Sequence, residues 1–197
     1  RSNALYSKGD SANIDKIYMD NYVMENQASG DRFPDGKTAL LRALDEGSLL
    51  VNYTGHGGEV GWSNAQILDI SDINKLSNGV RLPAYVTATC EFGRWDDPAR
   101  KSGAETILLI PSAGGIAMFT TVRVVFSGPN HTINTNYYNE VFDYDALNHR
   151  WSTMGEIFQR TKNLSWGGSV NNRNFSLLGD PAMQLAHPEN KAVITKI

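Results

Sequence analysis

Two residues could share a chemistry: Cys90, the single cysteine of this 197-residue chain, and His56. A thiol attacks as its thiolate, and a neighbouring imidazole can take that proton and later deliver it to a leaving amine. One cysteine and one histidine brought together therefore suffice for acyl transfer. His56 lies in Thr54-Gly55-His56-Gly57-Gly58. Glycine after the histidine lets a substrate carbonyl come close to the backbone. The N–H groups of Gly57 and Cys90 are thus expected to form an oxyanion hole, in which one donor is worth about 3 kcal/mol. A lone cysteine is more often a small buried hydrophobe, and a histidine between glycines is often only a turn residue. Position sets this pair apart, because each follows an apolar run and precedes a polar or glycine-rich loop.

Other chemistries find less support. A metal centre needs several converging ligands, and there is no His-x-x-x-His pair and no cysteine cluster. No metal is expected at the site and no cofactor is required. Asp69, Asp72, Asp96 and Asp97 have the donor type for structural calcium, although neighbouring loop carboxylates are usually just solvated. His131 (in a loop after Gly128-Pro129-Asn130), His149 and His187 all read as surface residues. Glu59 is the nearest carboxylate in sequence to His56 and could orient it, with plain exposure the simpler expectation. The Gly-x-Ser-x-Gly elbow and the phosphate-binding Gly-x-x-x-x-Gly-Lys loop are both absent.

The elements that must position the pair can be read from hydropathy. A short apolar strand is expected over 16–19, then a polar loop over 21–35 broken by Gly30 and Pro34. Leu40, Leu41 and Leu44 are at helical spacing within 37–45, with Gly47 as the stop. The run 49–53 reads as a strand that delivers His56 to its loop. A helix over 71–76 leads into a second strand over 82–90, which delivers Cys90. A helix over 103–109 and a third strand over 116–121 follow, then helices over 136–142 and 153–162. At the end, 177–185 reads as a turn before a final strand. Alternating strands and helices with continuous apolar strands imply an α/β fold, a largely parallel sheet with helices on both faces. In such sheets active residues collect at the carboxyl ends of strands. The 34 positions between the pair (90 minus 56) match one right-handed crossover, which would return the chain beside its starting strand.

Composition fits one globular domain: 41% of residues are hydrophobic and 20% charged. Eighteen basic residues against 21 acidic ones, a formal charge of −3, offer no electrostatic reason for a nucleic-acid or anionic-membrane partner. The apolar runs at 107–111 and 115–121 fall far short of the roughly 20 residues that cross a bilayer. A single cysteine cannot form an internal disulfide. Ser2-Asn3-Ala4 has the look of an expression-tag remnant, so residues 1–13 are expected to be leader, 14–187 the domain and 188–197 a tail or the start of another domain.

Leu50-Val51-Asn52-Tyr53-Thr54-Gly55-His56-Gly57, continuing through Glu59 and Trp62, resembles the histidine motif of the gingipain family of cysteine peptidases (C25). The apolar run from Pro83 to Cys90 resembles the cysteine strand shared by the caspase, legumain and gingipain clan, with Thr89 where a smaller residue is usual. Leu178-Gly179-Asp180-Pro181 is similar to the close of the gingipain catalytic domain. Within the family, Cys90-Glu91-Phe92-Gly93-Arg94-Trp95-Asp96-Asp97-Pro98 looks most like the sortase branch that serves type IX secretion.

The resemblance implies a caspase-like fold, here part of a full catalytic domain, with Cys90 as nucleophile and His56 as its partner. It implies polypeptide substrates, secreted cargo whose carboxyl-terminal sorting signals are removed by hydrolysis or by transfer to a lipopolysaccharide amine. The expected location is extracellular or on the outer surface of a Bacteroidetes-type bacterium. It also places an acidic partner for the histidine, and an acid in the specificity pocket, upstream of this chain. The end of the third strand, residues 122–127, should border the substrate side chain, where Val124, Val125 and Phe126 would make the wall apolar, and Glu59 is the further substrate-binding candidate. The rival expectation is a catalytically silent homologue that keeps the fold as a protein-binding surface module.

Overall fold

The computed structural model describes residues 13–187. The expected tail over 188–197, and all but the last residue of the expected leader, lie outside the described residues. A single 3-10 turn, Met19–Asn21, precedes a hairpin of β1 (Glu25–Gln27) and β2 (Gly30–Arg32). Helix α1 (Pro34–Glu46) leads to β3 (Leu50–Thr54), and β4 (Gly57–Gly58), β5 (Gly61–Trp62) and β6 (Leu68–Asp69) form a small antiparallel sheet. After α2 (Ile70–Ile73) come β7 (Ala84–Ala88), α3 (Gly103–Leu109) and β8 (Ala117–Thr121). Helix α4 (Ser127–Val141), a hairpin of β9 (Tyr144–Asp145) and β10 (Arg150–Trp151), α5 (Met154–Leu164), α6 (Val170–Asn174) and β11 (Phe175–Gly179) complete the fold.

The central sheet runs β11-β8-β7-β3. Strand β7 is parallel to β3, from Leu50 against Ala84 to Thr54 against Ala88, and parallel to β8, from Ala84 against Ala117 to Val86 against Phe119. Strands β7 and β8 are buried throughout, as interior strands covered on both faces must be. Alternation then sorts their side chains. Ala84, Val86, Ala88, Ala117 and Phe119 join Ile133, Tyr137 and Val141 of α4 with Met154 and Ile157 of α5. Tyr85 and Met118 join Leu44 of α1, Ile73 of α2 and Ala104 and Ile107 of α3. The sheet is largely parallel with helices on both faces, as the sequence leads one to expect.

Helix ends follow their local signals. Pro34 opens α1 at a position whose N–H has no helical partner, and Gly47 ends it at φ +90°. Reciprocal capping boxes start α3 (Ser102 with Glu105) and α5 (Thr153 with Glu156).

The strand expected over 82–90 is shorter, Ala84–Ala88, and five larger differences separate the elements from those expected. Residues 16–18 have no strand partner and Tyr18 is 57% exposed, so the expected strand over 16–19 is extended chain running into the 3-10 turn. The polar loop over 21–35 holds the β1–β2 hairpin instead. The helix expected over 71–76 stops at Ile73. Helix α4 begins nine residues earlier than 136, because Gly128 and Pro129 fall in its first turn, where no intrahelical N–H bond is needed. At the end of the domain the order is reversed. Strand β11 precedes the turn at Asp180-Pro181, pairing antiparallel with β8 from Phe175 against Thr121 to Gly179 against Ala117. The Phe175 ring packs 4.8 Å from that of Phe119, so core burial draws this segment onto the open edge of β8.

Candidate functional site

The parallel register sets the site. Thr54 and Ala88 end their strands directly opposite one another, and the Gly55 N–H extends the pairing one step by donating to the Ala88 carbonyl at 3.5 Å. His56 and Cys90 each lie two residues beyond this last pair, at the carboxyl edge of the sheet. His56 is exposed and Cys90 is half-buried.

Several residues shape the histidine loop. The Tyr53 hydroxyl donates to the His56 carbonyl at 2.6 Å, and the Ser63 N–H donates to the same oxygen at 2.8 Å. The Tyr53 ring stacks on buried Trp62, 4.4 Å away and within 1° of parallel. Burial pushes the Tyr53 hydroxyl up to about 12, so it remains a protonated donor at neutral pH. A side chain at Gly55 would meet that hydroxyl, because a Cβ there would sit 2.6 Å from it. Gly57 is held as closely: its Cβ would be 2.5 Å from Oγ1 of Thr89, the residue before the cysteine. The two loops are thus packed against each other at Gly57 and Thr89.

The cysteine loop turns sharply. Glu91 adopts a left-handed backbone (φ +53°), uncommon for a residue with a side chain, and its N–H reaches the Arg123 carbonyl at 3.4 Å. Phe92 is then fully buried, its ring 5.5 Å from that of Trp62, and the Gly93 N–H donates to the Thr121 carbonyl at 2.9 Å. The Thr121 hydroxyl donates to the Thr89 carbonyl. These contacts leave Cys90 at the outside of the bend, its Sγ 3.7 Å from the Val125 carbonyl and oriented to donate to it.

The segment 124–126, expected as an apolar substrate wall, divides its side chains between surface and core. Val124 and Phe126 are 56% and 64% exposed beside the cysteine loop, but the Val125 side chain is buried in the core, leaving only its carbonyl toward Cys90. Alternation along an extended segment turns every second side chain inward. Asn171, itself buried, holds this segment in place: its Oδ1 accepts from the Phe126 N–H at 3.1 Å, and its Nδ2 donates to the Phe126 backbone carbonyl at 2.7 Å and to Asn130 Oδ1 at 2.9 Å. Asn174 donates to the Val124 carbonyl at 3.0 Å. On the α4 side, buried Asn134 donates to Asn52 Oδ1 and Thr54 Oγ1 at 3.1 and 3.2 Å, fixing the end of β3. Sequence reasoning missed Tyr53, Asn134, Asn171 and Asn174. Only Tyr53 carried a local signal, a large polar aromatic three residues from the histidine.

Glu59 is neither exposed nor turned to His56. Its carboxylate is 14% exposed, with one oxygen 2.6 Å from Arg94 and the other 3.3 Å from Arg100. The other candidate carboxylates are also engaged. Asp69 and Asp72 cap α2 and meet Lys37, Asp96 forms an ion pair with Arg123, and Asp97 accepts from the Ala99 N–H. Among the described residues, no three His, Cys, Asp or Glu side chains gather as a metal site would need. His131 and His149 are exposed, His131 within α4 rather than a loop. His187 departs from the surface expectation: it is 9% exposed and stacked on Trp151 at 3.9 Å, because its flat ring completes an aromatic cluster.

The sequence profile described as Peptidase family C25 matches residues 2–186. The chain belongs to peptidase family C25. No curated protein sequence matches it. Among solved structures it is similar to the Arg-specific cysteine proteinase gingipain R (RgpB), with a TM-score of 0.67 and 20% identity over 76% of this chain and 36% of that one. It is also similar to the complex of Porphyromonas gingivalis RgpB pro- and mature domains (TM-score 0.66, 16% identity, 76% and 37% covered). A third similar structure is described only as a protease (0.63, 17%, 72% and 36%). At these identities the structures bear on the fold, which is gingipain-like. The C25 chain described here spans little more than a third of the length of each.

Proposed function

We propose that this C25 chain carries the nucleophile and the proton-transfer residue of a cysteine endopeptidase. The observation that supports it is the common offset of His56 and Cys90 from the last pair of β3 and β7. In the proposed reaction the Cys90 thiol gives its proton to His56 and Sγ attacks the scissile carbonyl carbon, forming the C–S bond. The N–H groups of Gly57 and Cys90 hold the resulting oxyanion. Collapse breaks the C–N bond, His56 protonates the departing amine, and a thioester remains on Cys90. Water or an acceptor amine then takes the acyl group and returns the thiol. None of these steps needs a cofactor.

Val124 and Phe126 line the substrate side of Cys90 in this reading, with apolar side chains for an apolar residue beside the cut. Such a surface suits a processing enzyme of the type IX secretion sortase kind, which the loop from Cys90 to Pro98 resembles. Its substrates would be secreted proteins bearing carboxyl-terminal sorting signals, met outside the cell or at the outer surface. Among the described residues no helix is long and apolar enough to cross a membrane.

The test is alkylation of Cys90 by iodoacetamide at neutral pH, in wild type and His56→Ala, alongside cleavage of sorting-signal peptides by the full-length protein. A tenfold or greater loss of alkylation in the variant, of the order that general-base partners contribute, is expected, with loss of cleavage. Equal alkylation in both proteins would remove the Cys/His pair and favour the silent binding module.

A further inference from the structure

The loop after His56 and the loop after Cys90 are tied together by one charge pair. Glu59 is three residues beyond the histidine and Arg94 four beyond the cysteine, and their side chains meet at 2.6 Å. The surroundings make this more than a surface contact. The Glu59 carboxylate is 14% exposed, and its backbone carbonyl accepts the Gly103 N–H at 2.7 Å, which anchors the same residue to the start of α3. On the other side, the Arg94 N–H donates to the Glu91 carbonyl at 3.1 Å, and its guanidinium also lies 3.8 Å from the Glu91 carboxylate and 4.0 Å from that of Asp97. Arg94 Nε is closed off from solvent without a hydrogen-bond partner. An arginine with no role in holding the loops would gain by swinging this N–H into water, since burying it unpaired is unfavourable. Three carboxylates, Glu59, Glu91 and Asp97, keep it in place.

We infer that Arg94 is a positioning residue that sets the approach of His56 to Cys90 by clamping Glu59. This rests on the Cys/His reading above. Proton transfer between thiol and imidazole is steep in distance, and a displacement of about 1 Å at a reacting pair can lower a rate about a hundredfold. The short β4–β5 hairpin that carries Glu59 begins at Gly57, directly after His56, so movement of Glu59 is passed to the histidine through two peptide units of paired backbone. Arg100, 58% exposed and 3.3 Å from the other Glu59 oxygen, is the weaker partner and serves as the control.

The experiment measures Cys90 alkylation by iodoacetamide at neutral pH in Arg94→Ala, Glu59→Gln and Arg100→Ala, each with His56 intact and with His56→Ala, in the full-length protein. Arg94→Ala and Glu59→Gln should each slow alkylation by about tenfold when His56 is present and have little effect once it is removed, because positioning acts only through the imidazole. Arg94→Lys, which keeps the charge, should restore part of the loss, and Arg100→Ala should change the rate less than twofold. Alkylation unchanged in Arg94→Ala and Glu59→Gln, or slowed equally with and without His56, would overturn the inference while leaving the catalytic pair standing. If His56→Ala alone has no effect, the reading beneath it fails instead. Glu59→Gln preserves side-chain size and so keeps the test decisive should Arg94→Ala fail to fold.

Discussion

The hydroxyl of Tyr53 donates a 2.6 Å hydrogen bond to the carbonyl of His56, three residues further along the chain. The strand residue thereby reaches past its own end and closes the loop that presents the imidazole. The tyrosine is steadied by stacking on Trp62, whose backbone pairs with Gly57 in the β4–β5 hairpin. The C25 histidine loop is thus held from both ends by an aromatic pair.

Tyr53→Phe keeps the ring stack and removes the hydrogen bond. Loss of one such bond costs about 1 kcal/mol, so a modest fall in the urea midpoint is expected. Cleavage by the full-length protein should fall further than stability does, with kcat reduced and KM little changed. Equal activity in Tyr53→Phe would show that the Ser63 N–H alone suffices to hold the His56 carbonyl.

Gly57 should tolerate no side chain while Thr89 keeps its hydroxyl. Gly57→Ala places a Cβ 2.5 Å from Thr89 Oγ1, and that oxygen is buried without a hydrogen-bond partner. Gly57→Ala should therefore be strongly impaired in cleavage and in stability. Pairing it with Thr89→Gly should recover only part of both, because the threonine obstruction is removed while the Gly61 carbonyl oxygen, 2.9 Å from the added Cβ, stays. The measurement is a double-mutant cycle on kcat/KM and on the urea midpoint.

Asn171→Ala leaves the Phe126 N–H and carbonyl, and Asn130 Oδ1, without their buried partner. A destabilisation of about 2 kcal/mol is expected, read as a lower urea midpoint. Preference for apolar over polar residues at the cut site should weaken at the same time, since Phe126 is no longer held beside Cys90. Unchanged preference would separate the role of Asn171 in stability from any role in substrate choice.

Alkaline pH should unfold the protein. Burial holds the Tyr53 hydroxyl at about 12 and raises those of Tyr85 and Tyr137 further, against an ordinary value of 10. Between pH 10 and 12 the unfolded chain loses phenolic protons that the folded chain keeps, so stability present below pH 10 is lost progressively as pH rises. Urea midpoints measured from pH 8 to 12 should fall above pH 10. Tyr53→Phe should show a shallower fall over that window, and an identical slope would remove Tyr53 from the cause.

Much of this was legible in the sequence. The run Ala84 to Ala88 declares itself as a strand because a buried parallel strand is covered on both faces, and Leu50 to Tyr53, at the sheet edge and only partly buried, does so by its short β-prone run. Each strand ends two residues short of the proposed catalytic pair, so His56 and Cys90 stand out as candidates from their places in the sequence, and capping boxes mark the starts of α3 and α5 for the same local reason. Where reading failed, the deciding contact was distant. Nothing near residues 177–185 says that β11 pairs with β8, because that choice depends on which sheet edge is open and where Phe175 can be buried against Phe119. The Asn171 clamp on Phe126 spans 45 positions and the Glu59–Arg94 pair 35, and an exposed arginine and a clamped one look alike in a chain of letters.

The sequence by itself determined the family and the candidates for its chemistry: a thiol and an imidazole, each just beyond an apolar run, 34 positions apart, in a family that hydrolyses peptide bonds. Local composition encodes these features, since side-chain reactivity and strand propensity are properties of neighbouring residues. Tertiary structure decided the rest. It faced Val125 inward and Val124 and Phe126 outward, set Thr89 against Gly57, and took Glu59 from the histidine and gave it to Arg94. The register of β3 on β7, and the packing of loops that this register brings together, depend on which surfaces can be buried at once, and only the folded chain meets that condition.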